Sequence, residues 1–388
     1  MMMSRLVRNC PVGNARWARA MSFTNPTDEF PLKFNTAASS PKKADVSNIT
    51  LENGIKVALS NQHGAIASVK IGVRGGSSAE SLSEKGSAQL LTCYSYSNKT
   101  QSALLSAWEL EGLGSRVSVS ADREKIVYNL LVPNENLYSA LDILVSNIKA
   151  PIHKHHSVES AKKRAQISYD LHHACGSSQL SEYLHEASYG ENTPLGGSFF
   201  ANSLNDLDAT DVIHYHNGIF AAENILVAVQ GDIHGDKFKS FVTDKFGSGF
   251  ATGTMSPAPP SRFTGGEVRV RHVNGGKTRA GLSFAVPSGE AGKASRVLQQ
   301  ILQSRVAARD GHSQIHLHSR VHHVNKKSSW TKTFFHPYTA GGIFGVTLKG
   351  DAEYVTNGLQ QVAAQLKSVA SGSVTADELA GAKNRVGW

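Results

Sequence analysis

The sequence predicts an α+β fold with two related domains, each a mixed, largely antiparallel sheet packed with helices. Three observations predict it: short runs that alternate apolar and polar residues, longer stretches with helical periodicity, and a Gly-, Ser-, Thr- and Pro-rich segment that separates two such sets. The chain has 388 residues, more than one hydrophobic core usually organises, and 40% of them are hydrophobic. We therefore expect two domains of ordinary globular composition.

The predicted strands are short alternating runs bounded by turn residues. The first two lie within residues 49–59, on either side of Asn53-Gly54, the dipeptide most favoured in tight hairpins. A third run, 67–73, ends at Gly75-Gly76. Further strands are predicted at 116–120, 126–132 and 225–229.

The predicted helices alternate with these strands, which makes the pattern mixed. Helical spacing of apolar residues begins near Leu82 and again near Leu104. It returns at 134–149, at 157–190 and in a segment that ends near Phe220. Thr210 and Asp211 are good residues for the start of that last helix.

A second unit follows a predicted linker at residues 247–265. A strand at 279–286 and a helix at 293–303 repeat the strand-then-helix layout of 67–91. The organisation predicted from these features is an N-terminal domain at 46–246 and a C-terminal domain at 266–388. Because the second unit is shorter and stops within the helical pattern of 382–388, we expect it to be incomplete.

The N-terminal residues have the composition of a mitochondrial presequence. Arg5, Arg8, Arg16 and Arg19 are interspersed with apolar residues, and the first acidic residue is Asp28. We assign residues 1–24 to the presequence and the Pro-, Ser- and Thr-rich residues 25–45 to an extended lead-in, with a disordered basic tail as the alternative.

Composition argues against several classes of protein. No apolar run approaches the roughly 20 residues of a membrane-spanning helix, and the mean hydropathy is −0.25. Three cysteines without metal-ligand spacing do not indicate a disulfide-built fold. The net charge is +9, but no basic stripe alternates with aromatic residues, so nucleic-acid binding is not predicted.

A series of short motifs, in order and spacing, resembles the mitochondrial processing peptidase and complex III core-protein family of insulinase-like zinc peptidases. The residues that carry it are Leu51–Val57, Gly72–Glu80, Gly86, Leu110–Ser115, Ala121–Glu124, Glu182–Tyr189, Pro194–Gly196 and Phe220–Gly231. The resemblance spans about 48–300 and implies the insulinase-like metallopeptidase fold.

The resemblance also implies that a zinc site has been lost. Peptidases of this family carry H-x-x-E-H on the helix after Gly86, where two histidines ligate zinc and the glutamate polarises water. The matching positions here are Gln89, Thr92 and Cys93. The family's third ligand falls around 168–170, where only Asp170 could ligate. We therefore predict no catalytic, metal-binding or cofactor-binding residue.

Histidine clusters offer a different metal hypothesis. His318 and His322, in one histidine-dense group, have helical i, i+4 spacing, and two further groups are dense in histidine. The histidines concerned are His316, His318, His322 and His323, His153, His155 and His156, and His172 and His173. We interpret all of them as solvated connecting or helical residues, with metal binding the lesser alternative.

The function implied by the resemblance is a non-catalytic core subunit of mitochondrial ubiquinol-cytochrome c reductase. It would pair with a core protein 1-like subunit and other complex III subunits on the matrix side of the inner membrane, peripheral to the membrane through those partners. The alternative is the presequence-binding subunit of the processing peptidase, which predicts an acidic concave surface. That subunit has a Gly-rich loop in its second half, whereas Ser304–Gly311 contains one glycine, which favours the core protein. An active zinc peptidase is the third hypothesis.

Overall fold

A computed structural model describes residues 45–94, 102–149, 155–200, 204, 207–251, 253, 261–271, 276–309 and 329–387. Two sheets organise this part of the chain. The first contains β1 (Asp45–Thr50), β2 (Lys56–Asn61), β3 (Ile66–Arg74), β4 (Arg116–Ala121), β5 (Lys125–Pro133) and β6 (Ile225–Gly231). Its strand order is β1-β2-β6-β3-β5-β4, so β6 lies between β2 and β3, parallel to the first and antiparallel to the second.

The first sheet is buried on one face only. Burial along β3 alternates, with Val69 and Ile71 inward and Lys70 outward, as expected for a strand with one wet face. The inward side chains of β2–β6 form the main hydrophobic core with the surrounding helices. We call the other side of β2–β6 the open face; its residues are Lys56, Ala58, Ser60, Ile66, Ser68, Lys70, Gly72, Arg74, Arg116, Ser118, Ser120, Lys125, Val127, Asn129, Leu131, Leu226, Ala228 and Gln230.

Seven α-helices accompany the first sheet in the described part of the chain. They are α1 (Ser87–Thr92), α2 (Ala103–Gly112), α3 (Leu137–Lys149), α4 (His155–Ala174), α5 (Gly176–Tyr189), α6 (Ala209–Ile219) and α7 (Gly235–Phe246). The predicted start of α6 is confirmed, because Asp208 and Asp211 form a reciprocal capping box there. The helical stretch predicted at 157–190 is two helices, since Cys175 adopts an extended conformation between them.

The second sheet is smaller and is covered on both faces. It contains β7 (Thr278–Val286), β8 (Trp330–Tyr338) and β9 (Gly341–Gly350) in the antiparallel order β7-β9-β8. One face packs on α8 (Glu290–Arg309) and α9 (Ala352–Ala370), through Leu302 and Val362. A last helix, α10 (Ala376–Val386), follows α9.

Helix α5 of the first half covers the other face of the second sheet. Leu184 lies so close to β7 that a Cβ on Gly281 would come within 2.9 Å of it. Ser188 Oγ and Ser283 Oγ are 2.8 Å apart, within hydrogen-bond distance. The two halves therefore share a packed interface rather than a linker alone.

The predicted fold class is confirmed, and so is the hairpin around Asn53-Gly54, where the Leu51 N–H donates to the Ile55 carbonyl at 2.9 Å. The sequence interpretation missed α7, β8, β9 and α9. The predicted boundaries at 246 and 266 stay predictions. The predicted presequence lies outside the described residues, as does the lead-in apart from Asp45.

Candidate functional site

The helix predicted to have lost the zinc motif is α1. Hydrogen bonds to the Glu80 side chain hold its first residues in place. Gly86 adopts the left-handed conformation with φ of 94°, just before the helix begins. The Glu80 carboxylate accepts hydrogen bonds from the N–H groups of Gly86 (3.0 Å) and Ala88 (2.7 Å). These bonds satisfy N–H groups that a helix leaves unpaired, and fully buried Leu90 and Leu91 fix the helix to the core.

Gln89 points from α1 toward α4. Its side chain is 2% exposed, and Nε2 donates to the Ala165 carbonyl at 3.1 Å. Its Oε1 has no hydrogen-bond partner among the described residues. The two helices are tied a second time at the end of α1, where Arg164 Nε donates to the Cys93 carbonyl at 2.8 Å. The amide of Gln89 thus serves helix packing.

The donors at these positions do not fit a zinc ion. Thr92 Oγ1 donates to the Gln89 carbonyl at 2.7 Å, and Cys93 Sγ lies 3.7 Å from the same hydroxyl. Asp170 is exposed and accepts a hydrogen bond from Gln166 Nε2 at 2.9 Å. A zinc site requires imidazole, thiolate or carboxylate ligands that converge, whereas here one thiol stands beside an amide and a hydroxyl. No catalytic step through a metal can be derived from this set.

A cavity of about 240 Å³ lies near α1, between the end of α4, α5 and the loop after it. It is lined by Lys85, His172, His173, Gln179, Glu182, Tyr183, Glu186, Glu191, Gly196, Ser198 and Phe200. Burial, and then the negative charge of Glu191, raise the pKa of Glu186. Burial lowers the pKa of His172, which favours its neutral form. The cavity is therefore polar and carries carboxyl groups beside one lysine.

The prediction that His172 is exposed is wrong. His172 is buried and stacks on Phe200, with ring centroids 3.9 Å apart. It lies seven residues after Ala165, on the face of α4 that packs inward. His173 and His156 are exposed as predicted. Within the described residues, no three His, Cys, Asp or Glu side chains converge as a metal site. His153, the side chain of His155 and all of 316–323 lie outside the described residues.

A second polar cluster joins the two halves. Arg123, just before β5, makes a two-pronged ion pair with Glu182 of α5, with N–O distances of 2.9 and 3.3 Å. The same guanidinium donates to the carbonyls of Leu195 (2.9 Å) and Gly197 (3.2 Å). The neighbouring Glu124 accepts hydrogen bonds from the N–H and hydroxyl groups of Thr339, in the turn between β8 and β9.

His185 of α5 completes this junction. Its Nδ1 donates to the Ser181 carbonyl, and its Nε2 accepts from the Tyr338 hydroxyl, each at 2.7 Å. Burial, and then the positive charge of Arg123, lower the pKa of His185 to about 3. Burial raises the pKa of Tyr338. Both side chains are therefore neutral near pH 7, and they fix α5 against the second sheet.

Sequence reasoning noted the segments around Arg123 and Glu182 only as part of the family resemblance. Nothing in either segment pairs one with the other, because the two residues are 59 positions apart. Only an alignment of relatives showing paired changes could have linked them.

Two family models match consecutive parts of the chain. The model described as "Insulinase (Peptidase family M16)" matches residues 56–201, and the one described as "Peptidase M16 inactive domain" matches 206–386. Together they cover most of the chain. The chain belongs to the M16 family. The predicted resemblance to insulinase-like peptidases is thereby confirmed.

Curated relatives are similar to this chain at low identity. The beta subunit of the mitochondrial-processing peptidase of Bos taurus is 26% identical over 57% of this chain, a match that spans only 46% of that protein. The probable mitochondrial-processing peptidase subunit alpha-1 of Arabidopsis thaliana is 25% identical over 88% of this chain and 69% of its own length. Human cytochrome b-c1 complex subunit 2 is 21% identical over 90% of this chain and 77% of its own length.

Among the described residues, no helix is long and apolar enough to cross a lipid bilayer.

Proposed function

We propose that this protein is core subunit 2 of mitochondrial ubiquinol-cytochrome c reductase, a non-catalytic scaffold that supports assembly and stability of the complex on the matrix side of the inner membrane. Its partners would be a core protein 1-like subunit and other subunits of complex III. The observation that carries the non-catalytic part is the donor set of Gln89, Thr92 and Cys93, which lacks a second ligand and a general base.

Three observations support the mitochondrial and core-subunit parts of the proposal. The match to human cytochrome b-c1 complex subunit 2 extends along 90% of this chain. Residues 1–24 have the arginine-rich, acid-free composition of an import sequence. The hydrogen bonds of His185 with Tyr338 and of Glu124 with Thr339 join the two halves, which suits a structural subunit.

A second candidate is the presequence-binding subunit of the processing peptidase. The match to the Arabidopsis alpha-1 subunit, over 88% of this chain, favours it. Against it, that subunit carries a Gly-rich loop in its second half, whereas Ser304–Gly311 of this chain contains one glycine. We therefore rank the core subunit first.

The partners of the chain discriminate between the two candidates. The chain carrying a C-terminal affinity tag would be expressed in the mitochondria of its source, extracted in mild detergent and purified under native conditions. We expect cytochrome-containing complex III subunits in stoichiometric amounts. Recovery of a processing-peptidase beta subunit without those subunits would sink the core-subunit proposal and leave the second candidate.

Zinc content tests the loss of the peptidase site. After dialysis against zinc and removal of the excess, we expect far less than one zinc per chain, because no group of three potential ligands converges within the part of the chain that the structure describes. The double variant Gln89→His/Cys93→His places two imidazoles four residues apart and is expected to retain more zinc than the wild type. Stoichiometric zinc in the wild type, together with peptide hydrolysis that a chelator abolishes, would contradict the proposal.

A further inference from the structure

Helix α6 contacts the segment that joins β3 to α1 at two points. We call this segment, residues 75–86, the β3–α1 loop. Near its start, the Tyr215 hydroxyl donates to the Gly76 carbonyl at 3.0 Å and accepts from the Gly76 N–H at 3.1 Å. Near its end, Nδ1 of His214 donates to the Glu84 carboxylate. The first contact is a hydroxyl with a peptide group, whereas the second joins an imidazole and a carboxylate, whose charges change with pH.

Glu84 is nearly buried and depends on its hydrogen-bond partners. Its side chain is 7% exposed, whereas that of His214 is 84% exposed. Its carboxylate also accepts from the Ser81 N–H at 3.0 Å and from the Ser81 hydroxyl at 2.7 Å. Within the described residues, His214 is the only ion-pair partner of Glu84. Because a carboxylate removed from water is costly without a partner of opposite charge, the contact is strongest when His214 is protonated.

The pH at which this contact weakens follows from the pKa values of its two members. The hydrogen bond to Glu84, and then the charge of that carboxylate, raise the pKa of His214 above its usual 6.5. Burial acts against ionisation of Glu84, but hydrogen bonds from His214 and Ser81 lower its pKa. Glu84 therefore stays ionised while His214 loses its proton. The stabilisation is complete just below about pH 6.5 and is lost as the pH rises through the raised pKa of His214.

Three other charged side chains contribute to the electrostatics of this region. Asp211, also on α6, favours the protonated form of His214. Glu80 lies in the same loop, accepts hydrogen bonds from the start of α1 and is repelled by Glu84. Burial raises the pKa of Glu80 to about 8, and Lys85 acts in the opposite direction. Raising the pH therefore removes a positive charge from His214 and adds a negative charge to Glu80, and both changes destabilise the loop.

We propose that the contact of His214 with Glu84 is a pH-sensitive latch that fixes the second end of the β3–α1 loop to α6. When the imidazole is protonated, the loop is held at both ends. When it is neutral, the contact at Gly76 remains and the residues around Glu84 loosen. Lys85 lines the cavity of about 240 Å³, and Gly86 immediately precedes α1. The latch thus sets how firmly one wall of that cavity and the start of α1 are held.

This inference goes beyond the proposed function and does not depend on it. Hydrogen–deuterium exchange of the full 388-residue chain, read by mass spectrometry, tests the latch. Exchange would be followed from about pH 6.5 to about pH 8.5 and expressed relative to the rate of an unstructured chain at each pH. We expect the protection of residues 81–92 to fall by about threefold to tenfold over this range, as for the loss of a charge pair with one buried member. Residues 225–231 of β6 are the internal reference and should keep their protection.

Two substitutions of His214 should act in opposite directions. His214→Gln keeps a hydrogen-bond donor without a charge, so we expect less protection of the loop than in the wild type near about pH 6.5 and a smaller change with pH. His214→Lys keeps a cation over the whole range and is expected to retain most of the protection near about pH 8.5. The control His63→Gln replaces a histidine that lies 3.3 Å from Asp232, outside the loop, and should match the wild type at every pH.

Thermal melts would establish that the variants fold. If one substitution of His214 prevented folding, the other would still test the latch. Four results would overturn the proposal: unchanged protection of the loop in the wild type, the full pH dependence in His214→Gln, loosening of His214→Lys to the same extent as the wild type, and a fall of equal size in β6. The last would show that the whole domain, rather than the loop, responds to pH.

Discussion

The two sheets of this protein differ in what covers them, and that difference organises both its stability and its exposed chemistry. The first sheet has helices on one face, and on the other Lys56, Lys70 and Arg74 are exposed among the described residues. The second sheet lies between α8 and α9 on one side and α5 on the other. A sheet covered on both faces carries apolar side chains on both, whereas a sheet covered on one face alternates apolar and polar residues.

The largest expected effect comes from breaking the junction that holds α5 in place. Arg123→Met removes one member of a largely buried ion pair, leaves Glu182 with the Phe199 N–H as its remaining donor, and removes the donor to two carbonyl groups. We expect the free energy of unfolding to fall by about 3–5 kcal/mol in urea denaturation. The control Arg269→Met breaks an exposed pair with Glu267 and should cost less than about 0.5 kcal/mol. Equal losses would mean that the junction does not hold the second sheet.

The second effect is a pH dependence at the same junction. The folded-state pKa of His185 is lowered to about 3, so the unfolded chain binds a proton below about pH 6.5 that the folded chain does not. Its contribution to stability is therefore complete above that pH and is lost as the pH falls toward 3. As the pH falls from about 7.5 to 5, we expect the free energy of unfolding to fall by about 2 kcal/mol.

His185→Gln is expected to be less stable at neutral pH but to show a shallower decline on acidification. Its unfolding would be measured in urea across the pH range beside His156→Gln, which replaces an exposed histidine of α4 and should leave the slope unchanged. Identical slopes in wild type and His185→Gln would show that this imidazole is not held neutral by burial.

The smallest effect compares a glycine on the covered second sheet with a glycine on the exposed face of the first sheet. Gly281→Ala on β7 places a methyl group 2.9 Å from Leu184 and is expected to cost about 1–2 kcal/mol. Gly72→Ala on the open face meets only a carbonyl oxygen at 3.8 Å and is expected to stabilise by about 0.5 kcal/mol, since alanine restricts the unfolded chain. Thermal unfolding of the two variants checks the opposite signs. A loss at Gly72 would mean that this face is covered.

The same difference explains what the sequence could predict about the fold. Strands of the first sheet alternate because one side is wet, so β3 and β5 were predicted to within about two residues. In β9 the residues from Gly342 to Val346 are all buried, because helices cover both faces, and alternation is lost. A continuous apolar run carries no periodicity that distinguishes a strand from a buried helix.

The candidate site could be located only in part. The positions of Gln89, Thr92 and Cys93 followed from the family resemblance, but the contact of Gln89 with Ala165 depends on how α1 and α4 pack. The burial of His172 does not follow from its neighbours in sequence, because it depends on the inward face of α4, to which Val158 and Ala161 also belong. The Arg123–Glu182 pair requires tertiary structure, since neither residue has a local partner that predicts it.

The position of β6 between β2 and β3 determines when the first sheet can complete its folding. Strand β2 ends at Asn61 and β3 begins at Ile66, yet they do not pair, because Ile225–Gly231 lies between them. A growing chain therefore has two unpaired strand edges until that distant segment has been synthesised. Such edges invite aggregation, and long-range pairings form slowly. Fragments that stop before Ile225 should not fold alone, and newly made chains would depend on chaperones during that interval.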